Sequence, residues 1–389
     1  MTLGIGPDDL ASCVGCGLCL PHCPTWRVTG EEARSPRGRI ATMRLVESGA
    51  AGLDVDAVES FESCLQCRGC EPACPSGVPF GSMIHATRVT LAATRGHSVP
   101  WWQRWALRAL ERPRLVRAGV TLAAWGGRAH IVPGRFGTRA WPTGRAPLEL
   151  PEEVAGPRVW LVRGCVMDAV QREVHQATID VLAGSGFDVA VVGSGDGCCG
   201  ALAAHAGLDD LATAQRDRMA ARFPGDDLVV VDSAGCGAHL KEQPGELAGR
   251  VVDASELLAR NPGRLPPPSV GWVRPTVAVS DPCHLRHVQR CHQATRDVLS
   301  LYADLVELDD DGLCCGAGGG FALARPDDAA GIRERKLAAI RRAGASQVTA
   351  SNPGCALHLG AAGVSVSHPM EIIAAAMRCD EQGGTPNGR

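Results

Sequence analysis

Runs of apolar residues, and the spacing of apolar positions inside more polar stretches, divide this chain into three parts. From residue 156 onward, short continuous apolar runs alternate with helical periodicity. VWLVR (159–163), DVAVVG (188–193) and LVVVDS (228–233) read as buried strands, and so do TVAVS (276–280), DLVEL (304–308) and QVTAS (347–351). A helical pattern runs through Leu182, and another covers 208–222. Apolar strands separated by helices predict parallel sheets covered on both faces. In residues 1–95 helical patterns dominate, over Arg39–Ser48 and Val55–Phe61. Between these parts, Pro100 and Pro113 bracket a short helical stretch, WWQRWALRALE.

The strand-rich part is a repeat. Cys165, Cys198–Cys199 and Cys236 recur as Cys283, Cys314–Cys315 and Cys355, at offsets of 118, 116 and 119 residues. The local text agrees: GDGCCGA against DGLCCGA, and SAGCGAHL against NPGCALHL. Three anchors at a nearly constant offset mark a duplicated domain. The predicted architecture is an N-terminal helical domain (1–95), a linker or docking segment (96–155), and two α/β domains with mainly parallel sheets (156–268 and 269–389). Each repeat cysteine falls past the carboxyl end of a strand, where open α/β sheets place their sites. Cysteines distant in sequence are therefore expected to converge at one point per domain.

Composition narrows the function. The 389 residues carry 39 Lys+Arg against 42 Asp+Glu, and this near-neutral balance argues against a nucleic-acid binder. One Tyr and six Phe leave few stacking platforms for single strands. The first residues have no basic and apolar segments of a signal peptide, and no apolar run approaches the length of a membrane span. The expected location is the cytoplasm, where 18 Cys stay reduced and clustered thiols ligate metal or react. The linker is different in character. From Arg95 to Arg145 it carries ten Arg and a single acid, Glu111, and it holds Trp101, Trp102, Trp105, Trp125 and Trp141. Such a segment (100–145) lies on the inner face of the membrane, docks a partner, or is a linker whose Trp pack on neighbouring domains. The sequence leaves all three open.

Eight N-terminal cysteines form two matching groups. Cys13-x2-Cys16-x2-Cys19-x3-Cys23-Pro24 is followed by Cys64-x2-Cys67-x2-Cys70-x3-Cys74-Pro75. This is the spacing of bacterial two-cluster ferredoxins, in which the fourth cysteine of each run serves the other cluster. It predicts one [4Fe–4S] cluster on Cys13, Cys16, Cys19 and Cys74, and a second on Cys64, Cys67, Cys70 and Cys23. Gly15, Gly17 and Gly69 are expected to let amide N–H groups approach the sulfurs. Structural zinc more often uses two CxxC pairs across a longer loop.

The repeat cysteines are harder to assign. Cys165, Cys198, Cys199 and Cys236, and likewise Cys283, Cys314, Cys315 and Cys355, are candidates for a further cluster, a zinc site or redox thiols. Gly200 and Gly316 relieve crowding after each Cys pair. His239 and His358 stand three residues after the last cysteine of each repeat and are candidate ligands or supporting donors. His284 and Asp281 flank Cys283. Cys291 and Cys379 fit neither pattern. No GxGxxG follows a strand, and no P-loop or nucleophile elbow occurs, so a flavin is not expected in this chain.

CVGCGLCLPHCPTW, then SPRGRI, then CLQCRGCEPACPSGV, then the two Cys-Cys-Gly repeats, resemble the iron–sulfur subunit family of glycolate oxidase. The wider group includes subunits of heterodisulfide reductase, lactate utilisation and anaerobic glycerol-3-phosphate dehydrogenase. The resemblance spans Cys13 to Cys355. It implies a two-cluster ferredoxin domain followed by paired cysteine-rich domains, in an electron-transfer subunit. A separate flavin subunit would oxidise a 2-hydroxy acid such as glycolate, and electrons would pass on to a quinone or another acceptor. Where heterodisulfide reductase domains end in CxxC, this chain reads Cys236-x2-His239 and Cys355-x2-His358, so that enzyme's five-cysteine cluster is not carried over. Three alternatives remain: a thiol–disulfide redox subunit, the electron-transfer subunit of a lactate or glycerol-3-phosphate dehydrogenase, and a zinc-binding scaffold.

Overall fold

The computed structural model describes residues 2–95, 99–133, 137–144, 146–152, 154–193 and 195–378. Cys379, Arg135 and Arg145 lie outside the described residues, as does the tail that follows Cys379.

The N-terminal part is helical, as its periodicity predicts. Its main helices are Pro36–Glu47, Val55–Glu62 and Phe80–Arg95, with short turns at Pro7–Ala11 and Pro24–Thr29. Ser35 caps the first of these by accepting from Gly38 N at 2.9 Å, with Pro36 at the first helical position. Asp54 caps the second. Ile40, Met43, Phe61, Met83 and Ile84 make the core, and Cys64 and Cys70 belong to the same cluster of buried side chains. The Phe80–Arg95 helix has no counterpart in the sequence reading.

The remainder holds two parallel four-stranded sheets of the same order. In the first, β1 (Arg158–Val162), β2 (Asp188–Ala190), β3 (Leu228–Val231) and β4 (Val251–Asp253) run in the order β2-β1-β3-β4. In the second, β5 (Thr276–Val279), β6 (Asp304–Glu307), β7 (Gln347–Thr349) and β8 (Val366–Ser367) run in the order β6-β5-β7-β8. All six pairings are parallel. Six strands match the apolar runs. The edge strands β4 and β8 are three and two residues long, too short to show a pattern, and each leads straight into a capped helix. Asp253 and His368 are those caps, each in a reciprocal box with a glutamate three residues on.

The two sheets share one core. Val159, Leu161, Ile179 and Val252 of the first half pack with Val277, Val298, Tyr302 and Ile373 of the second. The last helix, Pro369–Met377, crosses back onto Arg172–Gly184. At this seam His175 Nδ1 stands 2.7 Å from Asp232 Oδ2, both fully buried, and His368 Nε2 donates to the Asp232 carbonyl at 2.9 Å. In the linker, Trp101–Ala109 is followed by a second helix, Pro113–Arg128. No helix among the described residues is long and apolar enough to cross a membrane.

Candidate iron–sulfur and cysteine-rich sites

The SPRGR segment organises the ferredoxin-like part. Gly38 lets the chain pass tightly, since a Cβ there would sit 1.9 Å from Glu32 O. Arg37 then reaches one cysteine loop, donating to Gly15 O at 3.1 Å. Arg39 reaches the other, donating to Ser60 O at 2.8 Å, Ser63 Oγ at 3.0 Å and Thr25 Oγ1 at 3.2 Å, with Cys23 Sγ at 3.9 Å. Arg39 is fully buried. Further along the first helix Arg44 holds Leu10 O and Cys13 O, each at 2.6 Å, and on the Phe80–Arg95 helix Arg88 holds Cys64 O at 2.6 Å. The sequence reading quoted SPRGR only as family text. A guanidinium beside each loop offsets the negative charge that thiolates bring.

Two neighbouring cavities follow from these contacts. One is lined by Cys13, Cys16, Cys19 and Cys74, together with Cys70, Arg37 and Phe80. The other is lined by Cys23, Cys64, Cys67 and Cys70, together with Arg39 and Phe80. Cys70, Pro36 and Phe80 are common walls. The loop backbone is left-handed at matching positions: Gly15 (φ 72°) and Gly17 (φ 85°) in the first, Gln66 (φ 55°) and Arg68 (φ 58°) in the second. Gly69 is not left-handed. It is small because His22 O and His287 Nε2 would each stand 3.3 Å from a Cβ. Backbone N–H groups do reach sulfur, Gln66 N to Cys64 Sγ at 3.4 Å and Gly69 N to Cys67. Burial pushes the Cys64 thiol up and the Cys70 thiol well up. Such sulfurs ionise only beside a cation, and the donor set is all thiol, so the residues fit an iron–sulfur group.

In the cysteine-rich halves the repeat cysteines come together as rows. Cys165 Sγ lies 3.6 Å from Cys198 Sγ, and the thiols of Cys199 and Cys236 hydrogen-bond. In the second half Cys283 lies 4.0 Å from Cys314, and Cys315 lies 3.1 Å from Cys355. Cys165 and Cys283 follow their strands closely, the Cys pairs stand seven or eight residues beyond theirs, and Cys236 and Cys355 sit in the first turn of a helix. Gly200 (φ 94°) and Gly316 (φ 93°) combine left-handed backbone with close approach to Ala212 O and Ala329 O. Gly200 N and Gly316 N also donate to Cys198 and Cys314 Sγ, each at 3.5 Å. Among the described residues no group of three or more His, Cys, Asp or Glu is drawn into a preformed single-ion site. His358 Nε2 donates to Ala329 O at 3.3 Å. His239 Nε2 is buried without a hydrogen-bond partner, and burial lowers that ring to about 4. Asp281 is committed to Arg286 and Arg296. Cys291 stands apart, near Gln289 Oε1 at 3.9 Å.

The two rows differ in their neighbours. Cys67 of the ferredoxin-like part hydrogen-bonds Cys314, and Leu65 packs with Cys314 and Phe321. His284 Nε2 donates to Gln66 O at 3.2 Å, Gln66 Nε2 donates to His205 O at 2.9 Å, and the rings of His205 and His284 meet edge to face at 5.2 Å. Asn352 joins the rows, accepting from Gly235 N at 3.1 Å and donating to Cys355 Sγ at 3.6 Å. None of Gln66, His205 or Asn352 carried a sequence signal, because each matters only through a contact distant in the chain.

Known proteins share this arrangement. A 4Fe-4S dicluster domain is matched over residues 9–78, and a cysteine-rich domain twice, over 159–241 and 277–360. The glycolate oxidase iron-sulfur subunit of Escherichia coli (strain K12) is 30% identical over 411 residues, covering 95% of this chain and 94% of that protein. The chain belongs to the glycolate oxidase iron–sulfur subunit family. A Bacillus subtilis (strain 168) protein named "Probable glycolate oxidase iron-sulfur subunit" is 28% identical, with 90% of this chain and 88% of that protein covered. A component of the dihydromethanophenazine:CoB–CoM heterodisulfide reductase of Methanosarcina barkeri (strain Fusaro / DSM 804) is 27% identical, over 90% of this chain and 88% of that protein. These relatives are iron–sulfur or redox subunits, and the family places this chain as a subunit of an oxidoreductase complex with a two-cluster ferredoxin-type domain.

Proposed function

We propose that this chain is the electron carrier of a flavin-dependent 2-hydroxy-acid dehydrogenase of glycolate type, working on the cytoplasmic side. Residues 1–95 carry two [4Fe–4S] clusters, one held by Cys13, Cys16, Cys19 and Cys74 and the other by Cys64, Cys67, Cys70 and Cys23. Each cluster accepts and releases one electron at a time. The observation that carries this reading is the pair of adjoining cavities, one walled by Cys13, Cys16, Cys19 and Cys74 and also by Cys70, the other by Cys23, Cys64, Cys67 and Cys70. Cys16 is exposed, so the first cavity faces outward toward a donor, whereas Cys67 meets Cys314 and faces inward. Arg37 and Arg39 balance thiolate charge, and the N–H groups of Gln66 and Gly69 reduce sulfur basicity. A partner subunit carries the flavin and removes the hydride, and a quinone or another acceptor takes the electrons. Residues 156–268 and 269–389, with their cysteine rows, form the outlet.

Anaerobic purification followed by iron and sulfide counting tests the reading. About eight irons per chain is expected from two cubanes alone, and an excess assigns further clusters to the cysteine rows. The isolated chain is expected to leave glycolate unoxidised with an artificial dye, and adding the flavin partner is expected to restore oxidation. Zinc without iron, or full activity of the isolated chain, rejects it.

A second reading has its own support in the Cys315–Cys355 approach of 3.1 Å beside Cys314. In it, Cys315 and Cys355 exchange with a substrate disulfide: the substrate S–S bond breaks, two substrate thiols leave, a Cys315–Cys355 disulfide forms, and two electrons from the clusters with two protons restore the two thiols. Cys315→Ser with both ferredoxin-type clusters intact then abolishes disulfide reduction while leaving cluster reduction unchanged.

A further inference from the structure

The linker helices present their apolar faces outward. On Trp101–Ala109 the three indoles of Trp101, Trp102 and Trp105 share one side, and Leu107, the buried residue, lies on the opposite side. On Pro113–Arg128 the exposed residues Leu115, Ala118, Leu122 and Trp125 recur at three- and four-residue steps, which is a single stripe. The buried residues Val120, Ala124 and Gly127 recur at the same steps on the other side. A helix that only covers a core would reverse this arrangement. Trp101 is 81% exposed, and Ile131, just past the second helix, is 79% exposed. Among the described residues, seven of the sixteen exposed large hydrophobics fall between 101 and 131, whereas scattered single ones are the ordinary condition of a surface. The reading of these Trp as linker side chains packed on neighbouring domains is therefore replaced.

Charge says what covers this face. Arg108 is exposed beside the indoles and Arg114 and Arg117 are exposed beside the leucine stripe, while Arg104 and Arg128 are held by backbone carbonyls of Val99, Ala92 and Trp141. The single acid of the segment, Glu111, is turned away and paired with Arg218 of the first α/β half. Indole and guanidinium side by side, with no acid on either helix, suit the boundary between headgroups and acyl chains, although Arg114 and Arg117 also line a cavity with Glu149, Asp168 and Glu173. We propose that the helices Trp101–Ala109 and Pro113–Arg128 lie in the plane of an anionic phospholipid bilayer, with Trp101, Trp102, Trp105, Leu122 and Trp125 inserted and the arginines on lipid phosphates. The surface is independent of which substrate supplies the electrons, and it is read without turnover.

The test is sedimentation of the full, anaerobically purified chain with vesicles of phosphatidylcholine, with and without phosphatidylglycerol. The chain is expected to pellet with phosphatidylglycerol vesicles, to bind phosphatidylcholine alone at least about tenfold less, and to be released as salt rises. Brominated acyl chains are expected to quench its indole fluorescence. Trp101→Ser/Trp102→Ser/Trp105→Ser and, separately, Leu122→Ser/Trp125→Ser are expected to lower binding at least about tenfold with iron content unchanged, since these side chains are exposed. Absence of binding to phosphatidylglycerol vesicles overturns the proposal. So does equal binding to both lipids, equal binding by the variants, or a wild-type dimer that the triple variant loses.

Discussion

At Gly15 and Gly17 the first cysteine loop takes left-handed backbone with residues that lack a Cβ; at Gln66 and Arg68 the second takes it with long side chains. The first loop is exposed, with Val14 and Leu18 in solvent, Arg37 donating to Gly15 O and Arg44 to Cys13 O. The second sits where three parts of the chain meet. Gln66 bonds His205, Arg68 pairs with Glu71 and Glu242, and Cys67 touches Cys314. A side chain at positive φ costs on the order of 1 kcal/mol, and the second loop carries that strain because its side chains fasten the domains together. Similar backbone thus stands in two settings: one open to solvent, and one a junction with the cysteine rows.

The largest separation between the loops is expected in iron content. Cys16→Ser and Cys67→Ser each lower about eight irons to about four. Only Cys67→Ser is expected also to loosen the junction, seen as faster amide exchange around Leu65 and Phe321. Equal exchange in both variants breaks the comparison.

Next come the two arginines. Arg39→Met removes the buried guanidinium that donates to Ser60 O, Ser63 Oγ and Thr25 Oγ1 and is expected to cost about 3 kcal/mol in urea unfolding, whereas Arg37→Gln, at a half-buried side chain, is expected to shift the midpoint far less. Arg37→Gln is expected to act on the potential of the first cluster instead, lowering it, as removal of a nearby positive charge favours the oxidised state.

Acid separates both loops from the seam between the α/β halves. Burial holds His368 at about 4, with Nδ1 accepting from Met370 N and Nε2 donating to Asp232 O. A ring kept neutral in the fold loses stability as pH falls from about 6.5 toward 4, because the unfolded chain takes the proton first. Stability is expected to drop on the order of 2 kcal/mol between pH 7 and pH 4.5 and to be insensitive to His368 above pH 7. His368→Asn, which retains a cap, flattens that slope in urea midpoints measured against pH.

The smallest effects lie in the left-handed positions. Gly17→Ala adds a Cβ at φ 85° that would stand 2.7 Å from Arg37 Nη1, and is expected to cost about 1–2 kcal/mol. Gln66→Gly is expected to stay within about 1 kcal/mol of neutral, as relief of strain offsets the lost bond to His205 O. Thermal midpoints of the two variants check the sign of each.

Residue spacing was enough to read the cysteine runs, because a tight loop around a small group needs its donors at fixed short intervals. The duplication was legible for a related reason: 116 residues later the same Cys pair and its glycine recur. Six strands were legible from their apolar runs, and β3 and β5 show why, since three successive buried residues leave no alternation to blur them. The edge strands Val251–Asp253 and Val366–Ser367 were not, because a strand of two or three residues has no period. Gly69 was expected to bring its amide to a sulfur, and it does so at Cys67, but its second role, a close approach to His287 far along the chain in the second α/β half, carried no local signal.

Local chemistry along the chain therefore determined the cysteine runs, the helical and strand-rich parts and the repeat, since each rests on residues within one loop, one turn or one period. Which arginine faces which loop, which cysteine row touches the second loop, and that the linker's indoles point outward were decided only in three dimensions. Those are contacts between segments tens to hundreds of residues apart, whose partners are chosen by how preformed helices and sheets pack, and no local pattern encodes that choice.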